Sequence, residues 1–540
     1  MKKFLSFLLA LLMVLTLVLT MVACQEAEPD DPANDNKPGD TTDPGNKPED
    51  QPTDKPGDDK EDDEDDEDDV TVPDPDERIP LDYLPEKNFG GTSFHILEWS
   101  CNDVVEVGMS WIPWEEGDVE VEDGDMLASA VFERNAWAEE TYGVDITKEY
   151  ASIDGNPGYI TLARNDASVD SNLYQLFTMR TIEIIHMIRE ELFADMNEYE
   201  QFVRVDKPWW VEDSVESFTL GSHLYAASSE MLLRDKGATA ALYFNQTMVE
   251  DYTELPNFFE LAANQEWTLA EMLDACEIVA HSNDSDTELN SAEDVWGWVG
   301  DDDPVYFLYN AAGYKFAHVD EDGFIDYDFA EEDSDSIIVM QDIFEDVIYA
   351  DWYMHEGLIG KKILEKEQDL FVDGNALFKS GMIKDTTNKL KNMENLYGIL
   401  PHPKFSLDQE NYSSLVYQHH DSAVGIPSHT LDKEMSAIVL EALSWESYYS
   451  VYPVFYETIL LNRAAKDQES KEMLKLIFST RSYDPGQYWD STSGLHGGSG
   501  LLRLSETGSS DIASIWAKHE SKVQESIDRV NNWIADKEAD

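Results

Sequence analysis

The stretch DMLASAVFERNAWAEETYGVDITKEY, residues 125–150, carries a helix that runs directly into a strand. Gly143 stands where a helix of this kind ends, because glycine adopts the left-handed C-terminal cap without strain. The segment 144–150 that follows is predicted to be a strand. The apolar residues of the helix recur at intervals of three and four, so they share one face: Leu127, Ala130, Val131, Trp137 and Ala138.

The segments on either side of this unit continue the pattern. TSFHILEW at 92–99 is predicted to be a buried strand, and YQLFTMR at 174–180 a third strand. A helix over 182–192 follows it. Strand, helix, strand, strand and helix at this spacing predict an α/β layer with parallel pairing.

Shorter strands and more helices fill the rest of the chain. Residues 223–235 and 238–252 are predicted to be extended, and TLAE at 268–271 is a capping box that opens a helix. FIDYDF at 324–329 follows the turn sequence DEDG and predicts a hairpin. Further helices are predicted at 334–348, 431–445, 467–480 and 510–535. The segment from residue 88 onward has about 450 residues, which is too many for one hydrophobic core. We therefore expect two α/β lobes with the chain passing between them more than once.

The first 23 residues have the pattern of an export signal. Two lysines precede a long apolar run, and small Ala23 stands before Cys24. MVAC resembles a bacterial lipoprotein box, which implies cleavage before Cys24 and a lipid on that cysteine. The alternative is a transmembrane anchor, because the run is long enough to span a bilayer.

Residues 24–87 are predicted to be a lipidated cysteine followed by a disordered acidic tether. The segment 30–69 consists mainly of Asp, Glu, Pro, Gly, Asn and Thr and contains no aromatic residue. Such a segment cannot bury enough apolar surface to offset its ordering entropy. Like charges should extend it, so the body would float clear of the membrane. A tail that only raises solubility is the alternative.

The charge of the chain excludes some partners. Its formal net charge is −76, with 113 Asp and Glu residues. Such a surface repels a nucleic-acid backbone and an anionic lipid surface. Acidic pairs arise by chance at this density, so a pair of carboxylates does not indicate a glycosidase.

The three cysteines indicate no metal site. Cys276 lies on the apolar stripe of the helix that TLAE opens, where it is predicted to be a packing thiol. A disulfide between Cys101 and Cys276 stays open. We predict no cofactor, no metal and no catalytic residue.

A series of phrases occurs in one order along residues 88–535. These are NFGGTSFHIL, GDMLASAVFERNAWAEETYGVDI, KPWWVEDSVESFTLGSHLYAASSEM, ALYFNQTMVEDY, EWTLAEM, LFVDGNALF, YGILPHPKFSLDQENY, SAVGIPSHT and RSYDPGQYW. Together they resemble the extracellular solute-binding lipoproteins of bacterial ABC importers, in the family 1-like, carbohydrate-type group. The resemblance implies a helix-rich α/β fold: a two-lobed, periplasmic-binding-protein-like clam of type II with hinge crossings. Lobe 1 would comprise 88–237 and about 420–465, and lobe 2 would comprise 238–419 and about 466–540.

Candidate ligand contacts follow from the strand ends, because sites in open α/β sheets lie beyond the carboxyl ends of strands. In the first lobe these are Glu98, Trp99, Trp111, Trp114 and Arg180. The resemblance adds others: Glu230, Tyr306, Asn310, Ser380, Met382, His419, His420 and Asp421. For each tryptophan, core packing is the competing interpretation, and Trp209 and Trp210 are predicted to be structural. Joint metal binding by His419 and His420 is disfavoured, because neighbours on a strand point to opposite faces.

The resemblance implies the substrate-binding component of an ABC transporter, a monomer that captures a sugar or oligosaccharide outside the cell and delivers it to a membrane permease. Aromatic and polar groups in a preformed cleft suit that function. Two alternatives stay open: a surface carbohydrate hydrolase, and a carbohydrate sensor or adhesin without a transport role.

Overall fold

The computed structural model describes residues 73, 77–99, 126–151, 158–168, 172–283, 288–301, 303–331, 334–355, 369–386, 389–390, 393–459, 468–490, 492–497 and 499–539. The strands are β1 Thr92–Trp99, β2 Val144–Ala151, β3 Leu176–Arg180, β4 Thr219–Leu220, β5 His223–Leu224, β6 Ala240–Asn245, β7 Trp296–Gly300, β8 His318–Val319, β9 Ile325–Asp326, β10 Tyr353–His355, β11 Ala376–Met382, β12 Tyr397–Leu400, β13 Ser414–Leu415, β14 Ser422–Gly425 and β15 Arg481–Ser482.

The α-helices surround these strands. They are α1 Met126–Tyr142, α2 Tyr159–Ser168, α3 Thr181–Arg189, α4 Glu212–Phe218, α5 Arg234–Gly237, α6 Gln246–Asp251, α7 Phe258–Ala263, α8 Leu269–Val279, α9 Pro304–Ala311, α10 Ser336–Asp342, α11 Lys433–Glu446, α12 Tyr452–Ile459, α13 Gln468–Ser479, α14 Pro485–Trp489, α15 Leu501–Thr507 and α16 Ile512–Ala539. Two of them, α10 and α11, continue as short π-helical turns.

The first sheet has the strand order β14-β3-β1-β2. Strand β1 pairs in parallel with β2 and β3, with Thr92 opposite Val144 and Ile96 opposite Leu176. Strand β14 comes from far along the chain and lies antiparallel to β3. The predicted parallel α/β layer is therefore confirmed, and one strand of it is supplied by a distant part of the chain.

The second sheet repeats this arrangement. Its order is β10-β7-β11-β6-β12, and β7 pairs in parallel with both β10 and β11. Strand β6, which enters from the first half of the chain, lies antiparallel to β11. Strand β12 also lies antiparallel to β6, so three strands of the first sheet and four of the second run in one direction, and in each sheet one strand from a distant part of the chain, β14 or β6, runs against them. This reciprocal exchange confirms the predicted two-lobed α/β fold of type II.

Between the sheets, three chain segments run side by side in a strip that we call the crossing. Thr239, just before β6, bridges to Val416, and β13 pairs in parallel with β15. Strand β3 reaches the crossing at its carboxyl end, where the Thr181 N–H donates to the Asp421 carbonyl oxygen at 3.4 Å. Strand β11 reaches it in the same way, since the Ile383 N–H donates to the Thr239 carbonyl oxygen at 2.9 Å. The carboxyl ends of β3 in the first sheet and β11 in the second are therefore both hydrogen-bonded to the crossing.

Strand β6 shows why the second sheet is covered on both faces. Ala240, Leu242 and Phe244 pack in the main hydrophobic cluster. Ala241 and Tyr243, which alternate with them, pack in a second cluster with residues of α1 and α13. Alternate side chains of a strand point to opposite faces, so helices must cover both sides of this sheet.

Most predicted elements are confirmed within a few residues. Strand β1 has the predicted bounds, Gly143 adopts a positive φ of 62° after α1, and the Thr268 side chain accepts from the Glu271 N–H as the capping box requires. Cys276 is a buried free thiol in α8, as predicted. Cys101, the other cysteine of the possible disulfide, lies outside the described residues, so the question of that disulfide stays open.

The prediction of an extended segment over 238–252 is wrong in its second half. Strand β6 ends at Asn245, whose side chain accepts from the Met248 N–H at 3.0 Å and starts α6. Asparagine is a strong N-cap residue, so this turn of helix had a local signal that the apolar run obscured. The earlier segment 223–235 contains only the short strand β5 and the first residues of α5.

The predicted signal, Cys24 and the acidic tether lie outside the described residues, apart from the last part of the tether segment. Within the described residues, every helix is too short or too polar to cross a bilayer. The predicted lobe boundaries stay a prediction.

Candidate functional site

At the edge of the first sheet, two arginines flank one tryptophan. Trp99 closes β1 and is buried, with 3% of its surface exposed. The guanidinium carbon of Arg234 lies 4.5 Å from the centroid of the Trp99 ring, and that of Arg180 lies 5.4 Å from it. These are cation–π distances, so the ring positions both guanidinium groups.

Carboxylates lie close behind these cations. Arg180, at the end of β3, makes a bidentate ion pair with Glu183 in the first turn of α3. Glu98 is buried one residue before Trp99, and its charge supports the protonated form of buried Arg134. Burial nevertheless lowers the pKa of Arg134 to about 9. The first-lobe edge is therefore an ordered set of charged groups in which Arg180 stays accessible, with 24% of its side chain exposed.

The crossing segment 417–421 is bonded to both lobes. The Thr181 hydroxyl donates to the Gln418 carbonyl oxygen at 3.1 Å on the first-lobe side. The Tyr417 hydroxyl donates to Asp303 at 2.5 Å on the second-lobe side. His419 and His420 lie within this doubly held segment, so their positions depend on both lobes.

The two histidines of the crossing have different surroundings. Burial and the nearby charge of Arg180 lower the pKa of His419 to about 4, so His419 is neutral at pH 7. His420 has its Nδ1 2.6 Å from the ammonium nitrogen of Lys384, in the turn that follows β11. An ammonium group can only donate, so Nδ1 accepts and the proton of the neutral His420 ring lies on Nε2.

The second-lobe candidates contact mainly the protein itself. Tyr306 is fully buried in α9, 6.4 Å from the ring of Tyr417, and its hydroxyl donates to the His496 carbonyl oxygen at 2.8 Å. The side-chain nitrogen of Asn310 donates to the Ser482 hydroxyl at 3.1 Å, and its side-chain oxygen accepts from the Ser413 hydroxyl at 2.8 Å. These contacts place both residues behind the crossing.

Ser380 and Met382, near the end of β11, are also buried. The Ser380 hydroxyl lies 2.6 Å from His402 Nε2, and burial lowers the pKa of His402 to about 3. The Met382 carbonyl oxygen accepts from Tyr243 at 2.7 Å. The described contacts of this pair are therefore within the second lobe.

A buried charge cluster occupies the crossing beside these residues. Lys236 lies 2.8 Å from Glu230 and 3.2 Å from Asp235, and Arg481 pairs with Asp235 at 2.6 Å. Asp421 completes the cluster with a fully buried side chain. Neither carboxylate oxygen of Asp421 has a hydrogen-bond partner of good geometry among the described residues. Burial and the neighbouring Asp235 raise the pKa of Asp421 well above its ordinary value.

Replacing Asp421 with asparagine should therefore change how stability depends on pH. The raised pKa means that Asp421 keeps its proton in the folded chain at pH values above ~4, where the unfolded chain has released it. The free energy of unfolding therefore decreases as the pH rises above ~4. We expect Asp421→Asn to unfold at a higher denaturant concentration than the wild type at pH 8, with a smaller difference at pH 4. Equal differences at both pH values would show that folding does not raise the pKa of Asp421.

The predicted contacts thus fall into groups. The structure brings Trp99, Arg180, His419 and His420 to the crossing, while Glu230 and Asp421 form part of the charge cluster. Trp111 and Trp114 lie outside the described residues. The sequence analysis missed Arg234 and Lys384. Arg234 had a signal, since it closes the apolar run before the first crossing, but Lys384 had none.

A separate cavity of about 470 Å³ lies away from all the predicted contacts. It is lined by Val215, Glu216, Ser217, Thr219, Gly221, Lys315, His318, Val319, Asp320, Glu321, Gly323 and Pro485. In the part of the chain that the structure describes, no group of three or more His, Cys, Asp or Glu residues is placed to hold a metal ion.

Neither a protein-family model nor a curated protein matches the sequence. Solved structures do match, across most of the chain. A designed esterase has 9% identity and a TM-score of 0.51, covering 82% of this chain and 99% of its own. The galacto-N-biose/lacto-N-biose I-binding protein of the ABC transporter of Bifidobacterium longum, in complex with lacto-N-biose, has 13% identity and a TM-score of 0.47, covering 83% and 98%. A sugar transporter from Rhizobium etli, in an open conformation, has 11% identity and a TM-score of 0.46, covering 82% and 99%. At these identities, the likeness concerns the fold alone.

Proposed function

We propose that this chain is the substrate-binding component of an ABC transporter, which captures a sugar or oligosaccharide outside the cell and delivers it to a membrane permease. The observation that carries the proposal is the crossing, on which the carboxyl ends of β3 and β11 are both held. Ligands of open α/β sheets bind beyond such strand ends. A ligand at the crossing would therefore contact both lobes at once.

The side chains at the crossing suit a polar ligand. Arg180, His419 and His420 are partly exposed there, and they provide N–H donors of fixed orientation. Aromatic rings stand beside them, with Tyr417 5.1 Å from His419 and 6.0 Å from His420. A few oriented polar groups among aromatic rings are typical of small-molecule sites. We include the other predicted contacts in the proposed site, among them Trp111 and Trp114, which lie outside the described residues.

A lipid anchor belongs to the same proposal. We propose that Cys24 is the first residue of the mature chain and carries the lipid, with residues 25–87 as the tether. The support is the sequence pattern, in which an apolar run and Ala23 precede the cysteine. Mass spectrometry of the N-terminal peptide from membranes would show an unmodified Cys24, or an intact signal, if this is wrong.

Thermal unfolding with mono- and oligosaccharides tests the function. A ligand at 100 times its Kd should stabilise the folded chain by about 2.7 kcal/mol, and the midpoint should rise by a few degrees. The bound sugar should be recovered chemically intact. Sugars also stabilise proteins by exclusion from their surface, so an equal concentration of mannitol is the control. Cleavage of the sugar would favour the hydrolase alternative, and no saturable shift with any saccharide would contradict the proposal.

A further inference from the structure

The cavity of about 470 Å³ lies between two chain segments that are distant in the sequence. One wall is formed by residues 215–221, at the end of α4 and in β4, and the other by residues 315–323, which include the turn of the β8–β9 hairpin. The walls meet at one edge, where the Gly221 N–H donates to the Gly323 carbonyl oxygen at 3.1 Å. A Cβ atom on Gly323 would clash with the backbone nitrogen of Gly221, so this close contact requires glycine.

Helix α16 ties both walls to one rigid element. The side chain of Asn531 accepts from the Ile325 N–H and donates to the Ile325 carbonyl oxygen, both at 2.9 Å. Nearer the end of the helix, Glu538 accepts from the Ser222 N–H at 2.6 Å. Ile325 belongs to the hairpin and Ser222 directly follows the other wall, so one helix sets the distance between the two walls. The cavity is therefore preformed, which lowers the ordering cost of binding a small molecule there.

Charged side chains of both signs line the cavity. They are Glu216, Lys315, His318, Asp320 and Glu321. Two of the five are already engaged, because His318 pairs with Asp328 at 2.9 Å and one oxygen of Asp320 accepts from two backbone N–H groups of the hairpin turn. Within the described part of the chain, the side chains of Glu216, Lys315 and Glu321 take part in no ion pair or hydrogen bond. Groups of both signs therefore line the cavity without neutralising each other.

The ammonium group of Lys315 is open because the carboxylates near it are bound elsewhere. Lys315 is half-buried and acts electrostatically on Asp328 and Asp484. Asp328 pairs with His318, and buried Asp484 accepts from two backbone N–H groups at 3.0 Å. Neither carboxylate lies within ion-pair distance of the lysine among the described residues. The ammonium group can therefore bind an anionic group of a ligand.

We propose that this cavity binds a zwitterion of the size of an amino acid or a dipeptide, with its carboxylate at Lys315 and its ammonium group at Glu216. Such a ligand matches open groups of both signs and would bridge the two walls. Its attraction to them is stronger in a cavity than on an open surface, because water is partly excluded. Apolar surface for its side chain is supplied by Val215, Val319 and Pro485. The site is separate from the crossing, so it does not depend on the function proposed above.

Matched ligands test the proposal on the full chain. We would screen the standard amino acids and a set of dipeptides by calorimetry. The tightest ligand would then be compared with its N-acetyl form, which lacks the ammonium group, and with its amide, which lacks the carboxylate. We expect the zwitterion to bind saturably and each modified form to bind at least tenfold more weakly. Equal binding of the modified forms overturns the proposal, and so does the absence of saturable binding by any zwitterion.

Variants locate the ligand. We expect Lys315→Met and Glu216→Gln each to weaken binding of the zwitterion at least tenfold. Lys522→Met is the control and should change binding less than threefold, because Lys522 is an exposed lysine of α16 outside this cavity. Binding that is kept in Lys315→Met and lost in Arg180→Gln would place the ligand at the crossing and contradict the proposal. If Lys315→Met does not fold, Glu216→Gln decides, since Glu216 is exposed and its loss should not disturb the fold.

Discussion

Replacing Glu441 with leucine is expected to lower the free energy of unfolding by about 3 to 6 kcal/mol, because buried donors lose their acceptor. Glu441 lies in α11 and is fully buried. Its carboxylate accepts from the Trp209 indole at 2.8 Å, the Trp210 indole at 2.9 Å, the Tyr83 hydroxyl at 2.5 Å and the Arg204 N–H at 3.2 Å. Equilibrium unfolding in guanidinium chloride measures the loss.

Glu434 provides the matched control, since it lies in the same helix on the solvent side. Its carboxylate pairs with Lys87 at 2.8 Å, with 45% of its side chain exposed. Exposed ion pairs contribute about 0–1 kcal/mol, so Glu434→Leu should change stability by no more than that. If both variants lost similar stability, the added leucine or the change of helix surface would explain the effect. The buried hydrogen bonds to Glu441 would then not be its cause.

This carboxylate illustrates what the sequence could not provide. The structural role predicted for Trp209 and Trp210 agrees with their burial, at 0% and 4% exposed. Their acceptor lies more than 230 residues further along the chain. It is also one acid among 113, with nothing local to distinguish it. Pairing over such a separation is fixed by the packing of α11, which a single sequence does not encode in any readable pattern.

Local rules succeeded where local physics decides. Strand β1 and helix α1 follow from periodicity and from the glycine at 143, because burial on one face imposes that spacing. The position of Arg180 could be predicted as well, since a residue that ends a parallel strand lies at the carboxyl edge of the sheet. Arg234 and Lys384 join the site only through the antiparallel strand β6 and the turn after β11. Both depend on how distant segments exchange between the two sheets.

Replacing Arg481 with methionine is expected to lower the free energy of unfolding by about 3 to 5 kcal/mol, because it breaks a buried ion pair. Arg481 begins β15 and lies 2.6 Å from Asp235, whose side chain is completely buried. Among the ion pairs of the described residues, Asp235 then shares only Lys236 with Glu230, so one carboxylate of the cluster loses its counter-charge. Denaturant unfolding of the full chain measures this loss.

Two further variants decide whether burial of the pair is the cause. Arg164→Met removes a guanidinium from a pair of similar length, 2.5 Å, whose side chains are 52% and 40% exposed. It should therefore cost no more than about 1 kcal/mol. The double variant Asp235→Leu with Arg481→Met removes both charges, and apolar replacement of a buried pair is often neutral. We expect it to regain most of the stability that Arg481→Met loses. A double variant as unstable as the sum of the two single ones would show that the pair is not coupled, and that the crossing is held by the packing of β13 against β15.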